Sequence, residues 1–390
     1  MKTVYVWLVR FLSLLFYLRP KKNVYYFMSY SNNLHMIKRI AAELPAGQKL
    51  IVIYNPRTLA AAYDLRAFGV KTIPLKMSIS FLIHRIPQVM SARLIFCDNY
   101  YALLAGLIRP RKKTRIIQLW HADGTIKCFG WEDPGQRRNH WLKRRRHQLV
   151  YDQFDDYVVA SKAMGSVFER SFKQPATKMQ YLGTPRSDRL FSDNWLQTVR
   201  QRVLMAAPEL KGKRVILYAP TYRNAEQVNP PAGTIKALAA NPNAVVAVKL
   251  YQEVNRDQLE MEQFKYPNVK IYDEFTTTDL MTLADTLVTD YSSFIFDFSL
   301  MPQARSAIFF MYDLKRYQKE PGVQTGLKKW LPTAPINTVA DLKRAVIADE
   351  PVNFADFNDY WNTYNDGKAY KRVIDKYVIG RKNAAEDNDE

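Results

Sequence analysis

Short runs of branched and aromatic residues alternate along this chain with longer stretches in which apolar positions recur at helical spacing. The runs at 23–28, 49–54, 93–97, 114–120, 157–160 and 178–182 predict strands, and the stretches between them predict crossover helices, the pattern of a parallel sheet. The series then begins again at 214–219, 244–250, 269–272, 286–289 and 307–311. Two series predict two α/β domains. Between them Gly183-Thr184-Pro185-Arg186-Ser187-Asp188 carries turn residues ahead of a helix around 195–205, which reads as an inter-domain hinge.

The first apolar segment is different in kind. Val4 to Leu18 is apolar except for Arg10 and Ser13 and ends in Arg19-Pro20-Lys21-Lys22. At about 15 residues it falls short of the roughly 20 that a spanning helix needs, and it lacks the small-residue cleavage site of a secretory signal. An interfacial helix fits, with Trp7 and Tyr17 as interface aromatics and Lys21 and Lys22 at headgroup level; an N-terminal core helix is the other reading. The expected organisation is therefore 1–22 as a membrane-associating helix and basic cluster, 23–190 and 191–345 as Rossmann-like domains, and 346–390 as C-terminal helices and an acidic tail.

Charge sharpens the division. Residues 1–150 hold 26 Lys and Arg against 6 Asp and Glu, whereas residues 151–390 hold 31 of each, so the whole net charge of +20 lies in the first part. That part should face something anionic: a membrane surface, a phosphate-rich substrate or nucleic acid. The basic run Arg137-Arg138-Asn139-His140-Trp141-Leu142-Lys143-Arg144-Arg145-Arg146-His147 suits anionic lipid or a lipid-linked pyrophosphate, with a solvated helix as the plain alternative. No nucleic-acid fold signature accompanies it, so nucleic acid is not an expected partner. Two cysteines, Cys97 and Cys128, form no disulfide framework and no zinc spacing, which points to a reducing compartment.

Chemistry concentrates at strand ends, where open α/β sheets handle ligands. Only five histidines occur, and His121 follows the run Arg115-Ile116-Ile117-Gln118-Leu119-Trp120, with Gly124 breaking the strand behind it. In the second series, Thr289-Asp290-Tyr291-Ser292-Ser293 closes a strand and opens a helix whose free N–H groups and hydroxyls suit a phosphate. Tyr218-Ala219-Pro220-Thr221-Tyr222-Arg223 offers a hydroxyl and a guanidinium, and Arg186 a third cation. Each has a plain reading as a helix cap, surface group or hinge residue. Neither Gly-x-Gly-x-x-Gly nor a Walker A motif is present, which removes dinucleotide oxidoreductases and P-loop NTPases and leaves the two-Rossmann layout of nucleotide-dependent transferases.

Four motifs in order carry a resemblance: Trp120-His121-Ala122-Asp123-Gly124-Thr125-Ile126-Lys127-Cys128-Phe129-Gly130, Gly183 to Asp188, Tyr218 to Arg223, and Thr289 to Ser293 with Asp297 beyond. Over most of residues 23–320 the chain resembles the CDP-glycerol glycerophosphotransferase family of wall teichoic acid synthesis, its His121 loop being spelt more like the primase branch than the polymerases. The resemblance implies a GT-B type fold, two Rossmann-like domains facing across a cleft, with the first on the acceptor and membrane side and the second binding CDP-glycerol. It implies that His121 is the catalytic base and that Arg186, Thr221, Arg223, Lys249, Tyr251, Asp290, Ser292 and Ser293 bind the donor. Trp7, Lys21, Lys22, Lys127, Arg144, Arg145 and Arg146 fall on the acceptor and membrane side. A hydroxyl of an undecaprenyl-diphosphate-linked disaccharide would attack the β-phosphorus and release CMP.

The family usually carries a second histidine in the nucleotide domain, where this chain reads Val248-Lys249-Leu250-Tyr251-Gln252, so Lys249 or Tyr251 takes its place, this branch does without it, or the donor differs. No carboxylate cluster argues for a protein-held metal; any Mg2+ would arrive with the donor diphosphate. The implied setting is peripheral, at the cytoplasmic face of a Gram-positive cell membrane, with room for other teichoic acid enzymes as partners. Three classes stay open: a glycerol-phosphate primase, a polymerase or ribitol-phosphate variant, and a non-catalytic basic binder of membrane or nucleic acid.

Overall fold

Every strand pair in the fold is parallel, as expected when each strand returns through a crossover. The computed structural model describes residues 2–221, 230–250 and 265–380. The first sheet holds β1 (Asn23–Met28), β2 (Leu50–Tyr54), β3 (Lys71–Pro74), β4 (Ala92–Cys97), β5 (Arg115–Gln118), β6 (Asp156–Val158) and β7 (Met179–Gln180), in the order β3-β2-β1-β4-β5-β6-β7. The second holds β8 (Arg214–Tyr218), β9 (Ala244–Val248), β10 (Val269–Ile271), β11 (Thr286–Thr289) and β12 (Ser306–Phe309), in the order β10-β9-β8-β11-β12.

The central strands are apolar on both faces because helices cover both faces of a parallel sheet. In the first sheet Val24, Tyr26, Val52, Leu94, Phe96 and Ile117 form one core with Met36, Ile37 and Ile40 of the helix Leu34–Glu43. In the second, Ile216, Tyr218, Val246 and Val288 pack with Ile235 and Leu238 of the helix Thr234–Leu238 and with Leu342 and Val346 of the helix Val339–Ala348.

Two elements differ from the sequence reading. β3 was not expected: Lys71-Thr72-Ile73-Pro74 is an edge strand with one buried side chain, so it carries no apolar run. β5 stops at Gln118 rather than Trp120, since Trp120 takes a left-handed φ of 59° and turns the chain before Gly124 is reached.

The chain divides into two compact units, one comprising residues up to 123, 136–188 and from 364 onward, the other 124–135 and 189–363. The segment read as a hinge, Gly183 to Asp188, thus lies wholly within the first unit. The segment 346–390 is shared: the helix Ala355–Trp361 belongs to the second unit and the helix Ala369–Ile374 to the first.

The first helix, Lys2–Leu15, is docked along one side only. Val9, Leu12 and Ser13 are buried, and Gly106 lets the helix approach so closely that a Cβ there would overlap the carbonyl of Val6. Its other side leaves Val4, Trp7, Phe11, Leu14 and Leu15 exposed, Trp7 at 65%. Among the described residues no helix is long and apolar enough to cross a membrane.

Candidate functional site

Each sheet has one topological switch point, where successive crossovers leave in opposite directions and open a crevice at the strand ends. In the first sheet it lies between β1 and β4, in the second between β8 and β11. His121 meets the first through Asp98, and Thr221, Asp290 and Ser292 lie at the second.

At the first, β4 runs directly into Asp98, whose carboxylate is buried. Both of its oxygens accept the Ser29 N–H at 2.9 Å, one accepts the Tyr30 N–H at 3.0 Å, and the other accepts the Tyr101 hydroxyl at 2.7 Å. Burial nevertheless dominates these bonds and pushes the carboxyl up to about 7. The carbonyl of the same residue lies 3.2 Å from His121 Nδ1. A carbonyl can only accept, so Nδ1 carries a proton, and in the neutral ring the lone pair is on Nε2. Tyr30 stacks on the imidazole at 4.4 Å and 19°, and Trp120 covers it at 4.3 Å. The indole is braced in turn by Phe168 and Phe172 of the helix Lys162–Phe172. A left-handed φ in a bulky aromatic is costly, and here it sits beside the one histidine that follows a strand of the sheet.

Two residues on, Asp123 is fully buried and held by the second motif. The hydroxyls of Thr184 and Ser187 both donate to it, Ser187 at 2.5 Å, and Arg186 pairs with it at 3.3 Å. Arg186 is only 6% exposed. Its guanidinium supplies the counter-charge that a buried carboxylate needs. Asp188 of the same motif accepts the N–H groups of Ala369 and Tyr370, tying the last helix to the first unit, and burial raises its carboxyl to about 6.

At the second switch point Asp290 follows β11 and accepts the Thr221 N–H at 2.8 Å and the Tyr291 N–H at 2.6 Å. Thr289 Oγ1 donates to Ala219 O, so the turns after β8 and β11 are laced together. The Asp290 carboxylate thus braces the turn through its backbone N–H groups. Ser292 Oγ accepts the Phe294 N–H at 3.3 Å, and Ser293 precedes the helix Phe294–Phe298 without a side-chain cap. That helix has five residues, so an anion there would depend on local N–H groups and hydroxyls more than on a macrodipole. Gly124, on the loop that follows His121, packs on this helix: a Cβ would overlap the Phe296 ring. Lys249 Nζ donates to the carbonyls of Tyr272 and Asp273 at 3.0 and 2.9 Å. Arg223 and Tyr251 lie outside the described residues.

The groups expected on the membrane side divide. Trp7 and Lys22 are exposed, as are Arg144 and Arg145 on the helix Trp141–Tyr151, while Arg146 is half-buried near Tyr100. Lys21 does not face outward. Its Nζ donates to the carbonyls of Tyr17 and Met90 at 2.9 and 2.5 Å, closing the end of the first helix, and burial lowers its pKa. Lys127 pairs its backbone with Val323 and belongs to the second unit. Among the described residues no cluster of three His, Cys, Asp or Glu side chains is placed to hold a metal.

Residues 11–378 match the family described as CDP-Glycerol:Poly(glycerophosphate) glycerophosphotransferase. The chain belongs to this family. It is 28% identical over 370 residues to the teichoic acid glycerol-phosphate primase of Bacillus subtilis (strain 168), covering 92% of each chain. It is also 28% identical to the teichoic acid ribitol-phosphate primase of Bacillus spizizenii, over 76% of this chain and 78% of that one. The fold is that of the wall teichoic acid polymerase TagF, studied as a histidine-to-asparagine variant with CDPG: TM-score 0.70, 16% identity, 98% of this chain and 95% of that one. The UDP-GlcNAc 2-epimerase of Neisseria meningitidis shares it at TM-score 0.58 and 14% identity, over 91% and 98%. This member of the glycerophosphotransferase family thus has the expected GT-B-like class of fold, two Rossmann-like parallel sheets. Asp98, Ser29, Tyr30 and Tyr101 were not anticipated as site residues. The available signal was a carboxylate set directly after the all-apolar run Leu94-Ile95-Phe96-Cys97.

Proposed function

We propose that this chain is a membrane-associated glycerol-phosphate primase: it moves glycerol phosphate from CDP-glycerol to a lipid-linked disaccharide and releases CMP, with His121 as general base. The observation that carries the reading is the tautomer. With Nδ1–H given to the Asp98 carbonyl, Nε2 is the ring nitrogen left to act as the base, in a ring that Tyr30 and Trp120 pack against. Nε2 takes the proton of the acceptor hydroxyl as its oxygen attacks the β-phosphorus, and the electron pair of the breaking P–O bond leaves with CMP. Thr221, Ser292, Ser293 and the N–H groups around them suit the donor diphosphate, and Lys249, Arg223 and Tyr251 remain candidates for its charge.

The primase relative of nearly equal span supports a single-addition enzyme over a polymerase. Attachment at the cytoplasmic face is supported by the exposed apolar side of the first helix, which continues into Leu18, 91% exposed, and Lys22. Partly inserted aromatics and a few lysines each add about 1 kcal/mol of affinity for an anionic bilayer.

The test is CMP release from CDP-glycerol, CDP-ribitol and nucleotide sugars with an undecaprenyl-diphosphate-linked disaccharide. CDP-glycerol should be preferred and the product should stop at one unit. His121→Ala should lower kcat by about 10²–10⁴; full retention would remove the base assignment. Trp7→Glu with Phe11→Glu should abolish sedimentation with anionic vesicles, and unchanged sedimentation would remove the membrane claim.

A further inference from the structure

The structure assigns a second task to Asp98: it is the positioning residue of His121, holding the imidazole through its own carbonyl and through the turn that presents Tyr30. This rests on the reading of His121 as the base. The carboxylate anchors Ser29 and Tyr30 by their N–H groups, at 2.9 and 3.0 Å, so it fixes where the turn after β1 places the Tyr30 ring against the imidazole. The carbonyl of the same residue fixes the imidazole edge by accepting Nδ1–H. Carboxylate and carbonyl share a Cα at the end of β4, so one residue fixes both contacts. Tyr101 locks the arrangement from behind, donating to Asp98 at 2.7 Å, and its hydroxyl oxygen lies 2.8 Å from Ser29 Oγ.

An ionised carboxylate serves three donors here, and protonation replaces its charge-assisted bonds to the two N–H groups with weaker neutral ones. The grip is therefore strongest when Asp98 is charged. The titratable groups that act on it or feel its charge are the phenols of Tyr26, Tyr30 and Tyr101 and the Cys97 thiol, with Arg57 acting on Tyr30. Since burial raises the Asp98 carboxyl to about 7, its protonation should add to that of the base in disabling the site on its acid side.

The experiment uses the full-length protein. The slope of log kcat against pH on the acid limb should exceed 1 in the wild type and fall to 1 in Asp98→Asn. The same variant should lose about 10–100-fold in kcat with the KM for CDP-glycerol unchanged, the scale expected for a misplaced catalytic group. Wild-type kcat and slope in Asp98→Asn would overturn the proposal. Should that variant not fold, Tyr30→Phe and Tyr30→Ala decide: Phe keeps the stacked ring and should keep kcat, Ala should lose it, and equal activity of the two would overturn the proposal. Nitrogen-15 shifts of the His121 ring report its tautomer without turnover. A wild type with Nδ1 protonated but no CMP release would retire the substrate reading and leave the positioning intact. A wild type with Nε2 protonated would retire the positioning whatever the substrate.

Discussion

The two switch points are built to the same plan and equipped for different work. In each sheet the strand that returns across the switch, β4 or β11, ends in an aspartate that grips the N–H groups of the turn following the sheet's first strand: Asp98 holds Ser29 and Tyr30, Asp290 holds Thr221. What stands around the brace differs. The first surrounds an imidazole with aromatic rings and settles its tautomer; the second sets out hydroxyls and N–H groups with no histidine among the described residues. On the proposed reading a shared scaffold device supports proton transfer in one unit and anion binding in the other, according to what the brace presents.

The comparison can be broken at the second brace first. Asp290→Ala leaves the buried N–H groups of Thr221 and Tyr291 without their acceptor, which should cost about 2–5 kcal/mol of stability in the second unit. It should also raise the KM for CDP-glycerol about tenfold or more, while the His121 ring shifts stay as in the wild type. Loss of the Nδ1–H tautomer in that variant would show that the two sites are not separable in this way.

A smaller effect is expected with pH. Asp98 and Asp188 both have folded values raised above the ordinary carboxyl range, to about 7 and about 6, so both favour the folded state while protonated. Their contribution is complete below about pH 4 and is lost as pH rises through 6 and 7. Melting temperature should therefore decline over that interval. Asp98→Asn, which cannot ionise, should flatten the upper part of the decline, and an unchanged profile would contradict the burial argument. The smallest change tests the hydroxyl assigned to the donor: Thr221→Val should raise the KM for CDP-glycerol about threefold to tenfold with kcat little changed, the worth of one hydrogen bond.

Much of this was legible in the sequence because parallel strands announce themselves. The buried runs from β1 to β12 stand out as apolar segments, and His121, Asp290 and Ser292 could be placed at strand ends from the residues beside them. The exceptions share a cause: they depend on which turns meet across the sheet. Arg186 reads as a free cation until Asp123, 63 positions away, is found against it. Lys21 reads as a headgroup ligand until the Met90 carbonyl is found 2.5 Å from it. Asp98 carries no motif of its own, and its importance lies in the two N–H groups it meets after β1, 68 and 69 residues earlier. Edge strand β3 was hidden for a local reason, the absence of an apolar run.

The bond from Asp188 to the N–H groups of Ala369 and Tyr370 bears on how the protein comes to be made. The first unit is begun by the earliest residues of the sequence, yet its core is closed by Val373, Ile374 and Tyr377. During synthesis it must wait, with that side of its sheet uncovered, while the entire second unit emerges. The unit that opens the chain is the last to be finished, and chaperones or the membrane itself have that interval in which to act on it.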